Sequence, residues 1–122
     1  MTGKVLVVED EADIREAMAE AIAEDGFTVS TAENGQEGLE KALAEHPDLI
    51  LLDLRMPIMD GQQVLEKLRA DPWGSNCKVI VMTAMDDVDN VASAHQNKLE
   101  DYLIKTYTTL DTLVRKVRVT LA

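Results

Sequence analysis

Three runs of four apolar residues, each closed by a polar or charged residue, most constrain what this chain can fold into. Val5-Leu6-Val7-Val8 runs into Glu9-Asp10, Leu49-Ile50-Leu51-Leu52 into Asp53, and Val79-Ile80-Val81-Met82 into Thr83. Short apolar runs rich in β-branched residues, without polar alternation, suit strands covered on both faces in a parallel sheet. Two weaker strands are expected at residues 28–31 and 102–104. Between the strands the apolar residues fall at helical spacing. Ile14, Ala17, Met18, Ala21 and Ile22 mark a first helix stopped by Gly26, and Leu39, Ala42 and Leu43 mark a second over 35–45 before Pro47. Val64, Leu65 and Leu68 mark a third between Asp60 and Pro72, and Leu110, Leu113, Val114, Val117 and Leu121 mark the last. Residues 87–97 predict a further helix with a thin apolar stripe. Strand and helix thus alternate five times, which argues an α/β domain whose parallel sheet carries helices on both faces.

With 122 residues, the alternation fills one domain, expected over residues 1–122 with no output domain in the chain. Composition narrows its partners. Lys and Arg total 12 against 23 Asp and Glu, a net charge of -11 that disfavours direct nucleic-acid or membrane binding. A metal cation or a partly basic protein partner suits such a surface better. A single cysteine, Cys77, excludes an internal disulfide and fits a reducing, cytoplasmic setting. No secretory h-region or membrane-length apolar run is present.

In an open parallel sheet, ligands bind beyond the carboxyl ends of the strands. The strand ends expected from the apolar runs deliver Glu9, Asp10, Asp53, Thr83 and Lys105 to that edge. Carboxylates so close repel one another unless a cation sits among them, and hard oxygen donors with sites left for water suit Mg²⁺. A Lys and a Thr hydroxyl beside them could bind phosphoryl oxygens, and a carboxylate can attack phosphorus to form an aspartyl phosphate.

The residues Val7-Val8-Glu9-Asp10-Glu11, Asp53-Leu54-Arg55-Met56-Pro57-Ile58-Met59-Asp60-Gly61, Thr83-Ala84 and Asp101-Tyr102-Leu103-Ile104-Lys105 occur in that order. In this set, from about residue 4 to 121, the chain resembles the receiver domain of two-component response regulators. The resemblance implies a flavodoxin-like five-stranded sheet of order 2-1-3-4-5 and, in place of an enzyme, a phosphoacceptor signalling domain that catalyses its own phosphotransfer and slow self-dephosphorylation. It implies Asp53 as phosphoacceptor, with Mg²⁺ held directly by Asp10 and Asp53, through water by Glu9, and by the backbone carbonyl of Arg55. Lys105 would bridge to the phosphoryl group and Thr83 would hydrogen-bond it. Tyr102 would turn inward when Thr83 moves, and Pro57 and Gly61 would shape the acceptor loop.

It further implies a histidine kinase or histidine phosphotransfer protein as donor, meeting Ile14, Arg15, Met18 and the neighbourhood of Thr106. A downstream protein target would read the face around residues 87–97, the fifth strand and the last helix. The domain would act as a monomer or a weak homodimer, with Glu100 and Asp101 pairing across to Arg115 or Arg118.

Other readings attach to the same residues. A phosphorylation-independent adaptor would use the fold only to bind partners. A Mg²⁺-dependent phosphatase of the haloacid-dehalogenase type wants an acid two residues after the nucleophile, where this chain has Arg55. A flavin carrier wants a Ser/Thr/Gly-rich loop after the first strand, which is absent. The four methionines Met56, Met59, Met82 and Met85 read as packing, His46 and His95 lack ligand-like neighbours, and Trp73 is a local lid or a partner contact. The chain departs from the family twice: Thr106 stands where a cis-proline usually follows the lysine, and Lys98-Leu99 replaces Gly-Ala before the fifth strand. The first departure predicts a trans, reshaped loop, the second the loss of an easy positive-φ turn. Together they predict that the face around residues 86–100 is mobile or atypically packed.

Overall fold

The computed structural model describes residues 2–84, 94 and 98–122. The expected helix over 87–97, Met85, His95 and most of the 86–100 face lie outside the described residues. Five strands, β1 (Lys4–Val8), β2 (Thr28–Ala32), β3 (Leu49–Asp53), β4 (Val79–Thr83) and β5 (Asp101–Ile104), form one sheet. Every pairing is parallel and the order is β2-β1-β3-β4-β5, as the resemblance implied. The described helices are α1 (Ala12–Glu24), α2 (Gly35–Glu45), α3 (Gly61–Ala70) and α4 (Leu110–Leu121).

The three apolar runs are central strands, and their side chains divide between two cores by the two-residue period of a strand. Leu6, Val8, Ile50, Leu52, Val79 and Val81 pack with Leu39, Ala42, Val64, Leu65 and Leu68 of α2 and α3. Val5, Val7, Leu49, Leu51, Ile80 and Met82 pack with Met18, Ile22, Leu113, Val114 and Val117 of α1 and α4. The absence of polar alternation is thereby explained: each central strand has a helical layer on both sides.

Local chemistry sets where the helices begin. The Asn34 side chain accepts the Glu37 N–H at the start of α2, and the Thr109 hydroxyl accepts the Thr112 N–H at the start of α4. Asp60 and Gln63 exchange side-chain and backbone bonds in a capping box that opens α3 directly after the loop that follows β3. Helix α1 differs, since Glu11 at its N-cap makes no side-chain capping bond. At the other end of α2, His46 turns left-handed (φ 50°) and its ring stacks on Trp73 at 4.3 Å.

Both departures from the family pattern can be followed. The described residues contain no cis peptide bond, and Lys105–Tyr107 form a 3-10 turn directly after β5. Lys98 takes φ 58°, so the positive-φ turn expected to vanish with the glycine is kept by a lysine. The Lys98 carbonyl accepts a bond from Arg69 Nη2, and Glu100 N–H then joins the Val79 carbonyl at 2.9 Å as β5 begins. Two residues expected to pair between copies are engaged within the chain. Asp101 is bridged by Lys116, and Asp25 by Arg118. Among the described residues no helix is long and apolar enough to cross a membrane.

Candidate functional site

Register places the site. Val8 pairs with Leu52, so Glu9 and Asp53, the next residue of each chain segment, meet at the carboxyl edge of the sheet. Glu9 is fully buried and Asp53 nearly so at 4% exposure, whereas Asp10 is exposed. Carboxylate oxygens of Glu9, Asp10 and Asp53 lie within 4.8 Å of one another. Lys105 reaches in from beyond β5: its Nζ donates to Glu9 Oε1 at 2.8 Å, to Glu9 Oε2 at 3.1 Å and to Asp53 Oδ2 at 3.2 Å. The second oxygen of Asp53, Oδ1, accepts the Arg55 N–H at 3.2 Å.

Burial of the acids and their closeness to one another show in the electrostatics. Burial pushes the Glu9 carboxyl up to about 7 from its ordinary 4.5; Lys105 opposes the rise and the neighbouring Asp53 adds to it. For Lys105, burial works toward a lower value, yet its bond to Glu9 and the negative charge of Asp53 hold the proton more firmly than in water. The lysine therefore remains an ammonium at neutral pH. In front of the cluster opens a concavity of about 490 Å³ lined by Asp10, Glu11, Ile14, Asp53, Arg55, Ala84 and Lys105. It is roomy enough for a hydrated cation and a phosphoryl group together.

The remaining expected residues sit around this pocket. Thr83 is buried at the end of β4, paired with Ile104, and its hydroxyl donates to the Ala84 carbonyl at 3.2 Å. Tyr102 lies on β5 with 39% exposure, two residues before Ile104 and so on the sheet face that Thr83 shares. Gly61 closes the loop that follows Asp53. Its N–H donates to the Leu54 carbonyl at 2.9 Å, and a Cβ there would lie 2.6 Å from the Asp53 carbonyl oxygen. Trp73, left open between lid and partner contact, lies at the opposite edge. There it lines a second concavity, of about 620 Å³, with His46, Asp48 and Lys78. Two features escaped the sequence reading. Arg15, expected as a partner contact, turns its guanidinium onto backbone carbonyls of the Glu9-Asp10 loop. Gly35 brings α2 against Met59 of the loop between β3 and α3 so closely that a Cβ would lie 1.9 Å from the Met59 carbonyl oxygen. The NG pair at Asn34-Gly35 was the only available sign, and it reads equally well as a turn.

The response regulator receiver domain family matches residues 5–118. The chain belongs to that family. Among its relatives, the transcriptional regulatory protein PrrA of Mycobacterium tuberculosis is 36% identical over 112 residues, covering 92% of this chain and 47% of PrrA. The DNA-binding transcriptional regulator NtrC of Escherichia coli is 42% identical over 106 residues, covering 86% of this chain and 22% of NtrC. Of solved structures, the receiver domain of AraT, a response regulator from Geobacillus stearothermophilus, superimposes with a TM-score of 0.83 at 38% identity. That match covers 99% of this chain and 96% of the AraT domain. This receiver domain spans about half the length of its mycobacterial relatives. It is a signalling domain of the two-component type, built on the flavodoxin-like sheet that the strand order describes.

Proposed function

We propose that the domain accepts a phosphoryl group on Asp53 from a phosphohistidine of a histidine kinase or phosphotransfer protein, with Mg²⁺ as cofactor. The observation that carries this reading is the buried Asp53 carboxylate, set between Lys105 and two further acids at the floor of an open concavity. The donor set fits the ion: Glu9, Asp10 and Asp53 offer hard oxygens within 4.8 Å of one another, and Arg55, whose backbone carbonyl would join them, lines the same concavity. Bound there, Mg²⁺ supplies charge neutralisation between the acids and the incoming phosphoryl oxygens.

An Asp53 carboxylate oxygen attacks phosphorus in line, the P–O bond forms as the P–N bond to imidazole breaks, and the imidazole nitrogen takes a proton. Lys105, held as an ammonium, moves a hydrogen bond from Asp53 to a phosphoryl oxygen. Thr83 stands at the next strand end and donates its hydroxyl to another phosphoryl oxygen. The product adds roughly -1.5 to -2 charges at the edge. As Thr83 shifts toward them it vacates space on the face of Tyr102, which turns inward, and a downstream protein reads the altered face. The net charge of -11 directs the domain to protein partners rather than phosphate backbones, and a single cysteine fits a cytoplasmic setting. Monomer or weak homodimer suffices for this role. Arg55 in place of a second acid withholds the general acid a phosphatase would need.

The test is acid-labile labelling by a small phosphodonor with Mg²⁺. Wild type is expected to label and Asp53→Asn to remain unlabelled. Labelling that persists in the variant would remove Asp53 from the acceptor role.

A further inference from the structure

Helix α1 begins with a difficulty. Its N-cap, Glu11, makes no side-chain capping bond, and a cation stands in its first turns, where the helix dipole disfavours positive charge. That cation, Arg15, is turned back out of the helix. Its Nη1 donates to the Glu9 carbonyl at 2.9 Å and to the Asp10 carbonyl at 3.4 Å. These are two consecutive residues whose carboxylates belong to the acid cluster. The Glu9 N–H is meanwhile fixed to the Ala32 carbonyl at 3.0 Å, so the peptide before Glu9 is held by the sheet and those after it by Arg15. Asp10 is the exposed member of the acid cluster. Its direction depends on the backbone that carries it.

From this geometry we propose that Arg15 is a positioning residue for the acid site. It locks the Glu9-Asp10 peptides so that the Asp10 carboxylate meets those of Glu9 and Asp53. The proposal rests on the reading of the site as a Mg²⁺ centre. It carries a sign that separates it from simpler roles. A guanidinium acting only through its charge repels a cation, so its loss would tighten Mg²⁺ binding. A merely structural residue would lower the melting temperature and leave Mg²⁺ affinity unmoved. A positioning residue makes affinity fall.

The experiment is Mg²⁺ titration by calorimetry, at fixed ionic strength, of wild type, Arg15→Met and Arg15→Lys. Methionine keeps the apolar stem and removes the donors. The expected result is a loss of about tenfold in Mg²⁺ affinity for R15M, most of it recovered by R15K, whose ammonium can still donate to both carbonyls. R15M affinity equal to or tighter than wild type would overturn the proposal while leaving the site reading intact. A wild-type chain that takes up no Mg²⁺ would overturn both.

Discussion

Glu9 is a carboxylate sealed from water, bonded by Lys105 and crowded by Asp53, and its pKa near 7 is the measure of that conflict. Because the folded value lies above the ordinary 4.5, the folded domain holds this proton more tightly than the unfolded chain does. Glu9 therefore contributes stability that is fully present below pH 4.5 and is lost as pH rises through about 7. In metal-free buffer, wild type should lose stability relative to Glu9→Gln across that window, read from urea midpoints between about pH 5 and pH 8. Parallel curves for the two proteins would remove Glu9 as the titrating group. Lys98 carries a different strain, in its backbone. At φ 58° a side chain with a Cβ costs about 1 kcal/mol or more relative to glycine, partly offset by the entropy glycine adds to the unfolded chain. Lys98→Gly is expected to raise stability by up to about 1 kcal/mol with an unchanged urea slope, and a lowered midpoint would show that the lysine's bonds outweigh the strain.

The elements meet most tightly where α2 passes the loop between β3 and α3. Gly-to-Ala changes inside helices usually stabilise by about 1 kcal/mol. At Gly35 the sign should reverse, because the new Cβ would sit 1.9 Å from the Met59 carbonyl oxygen, and backbone rather than a flexible side chain must give way. Gly35→Ala is expected to cost about 3 kcal/mol in thermal or urea unfolding, and a neutral result would mean that α2 shifts freely. Such contacts explain which parts of the fold were legible in the sequence. Val5 to Val8, Leu49 to Leu52 and Val79 to Val81 announce themselves because burial on both faces leaves no polar alternation, and strand order then brings Glu9, Asp53 and Lys105 to one edge. The site was readable because its parts are strand ends. Arg15 was not, since its partners are carbonyls that every residue possesses. Neither was the left-handed turn at Lys98, for which lysine carries no propensity, nor the stacking of Trp73 on His46, which joins the ends of two helices distant in sequence.

At the scale of the whole molecule, an excess of 11 negative charges repels itself, and three of the acids are gathered at one edge beside Lys105. Any cation raises stability by screening the general excess, but only one that coordinates the cluster binds the folded state specifically. Ligand linkage makes the two separable. Mg²⁺ at one hundred times its dissociation constant should add about 2.7 kcal/mol, which for a domain of this size raises the melting temperature by about 10 °C. Sodium chloride at matched ionic strength supplies the screening without the coordination and should give a much smaller shift. Asp53→Asn relieves part of the repulsion, so the variant should start from a higher melting temperature in metal-free buffer and then respond to Mg²⁺ no more than to sodium. Below pH 7 the wild-type response should weaken, because protons on Glu9 then compete with the ion. If wild type and Asp53→Asn gain equally from Mg²⁺ at matched ionic strength, the ion is acting on the net charge of the domain. The acid cluster would then be a store of repulsion with no cation of its own.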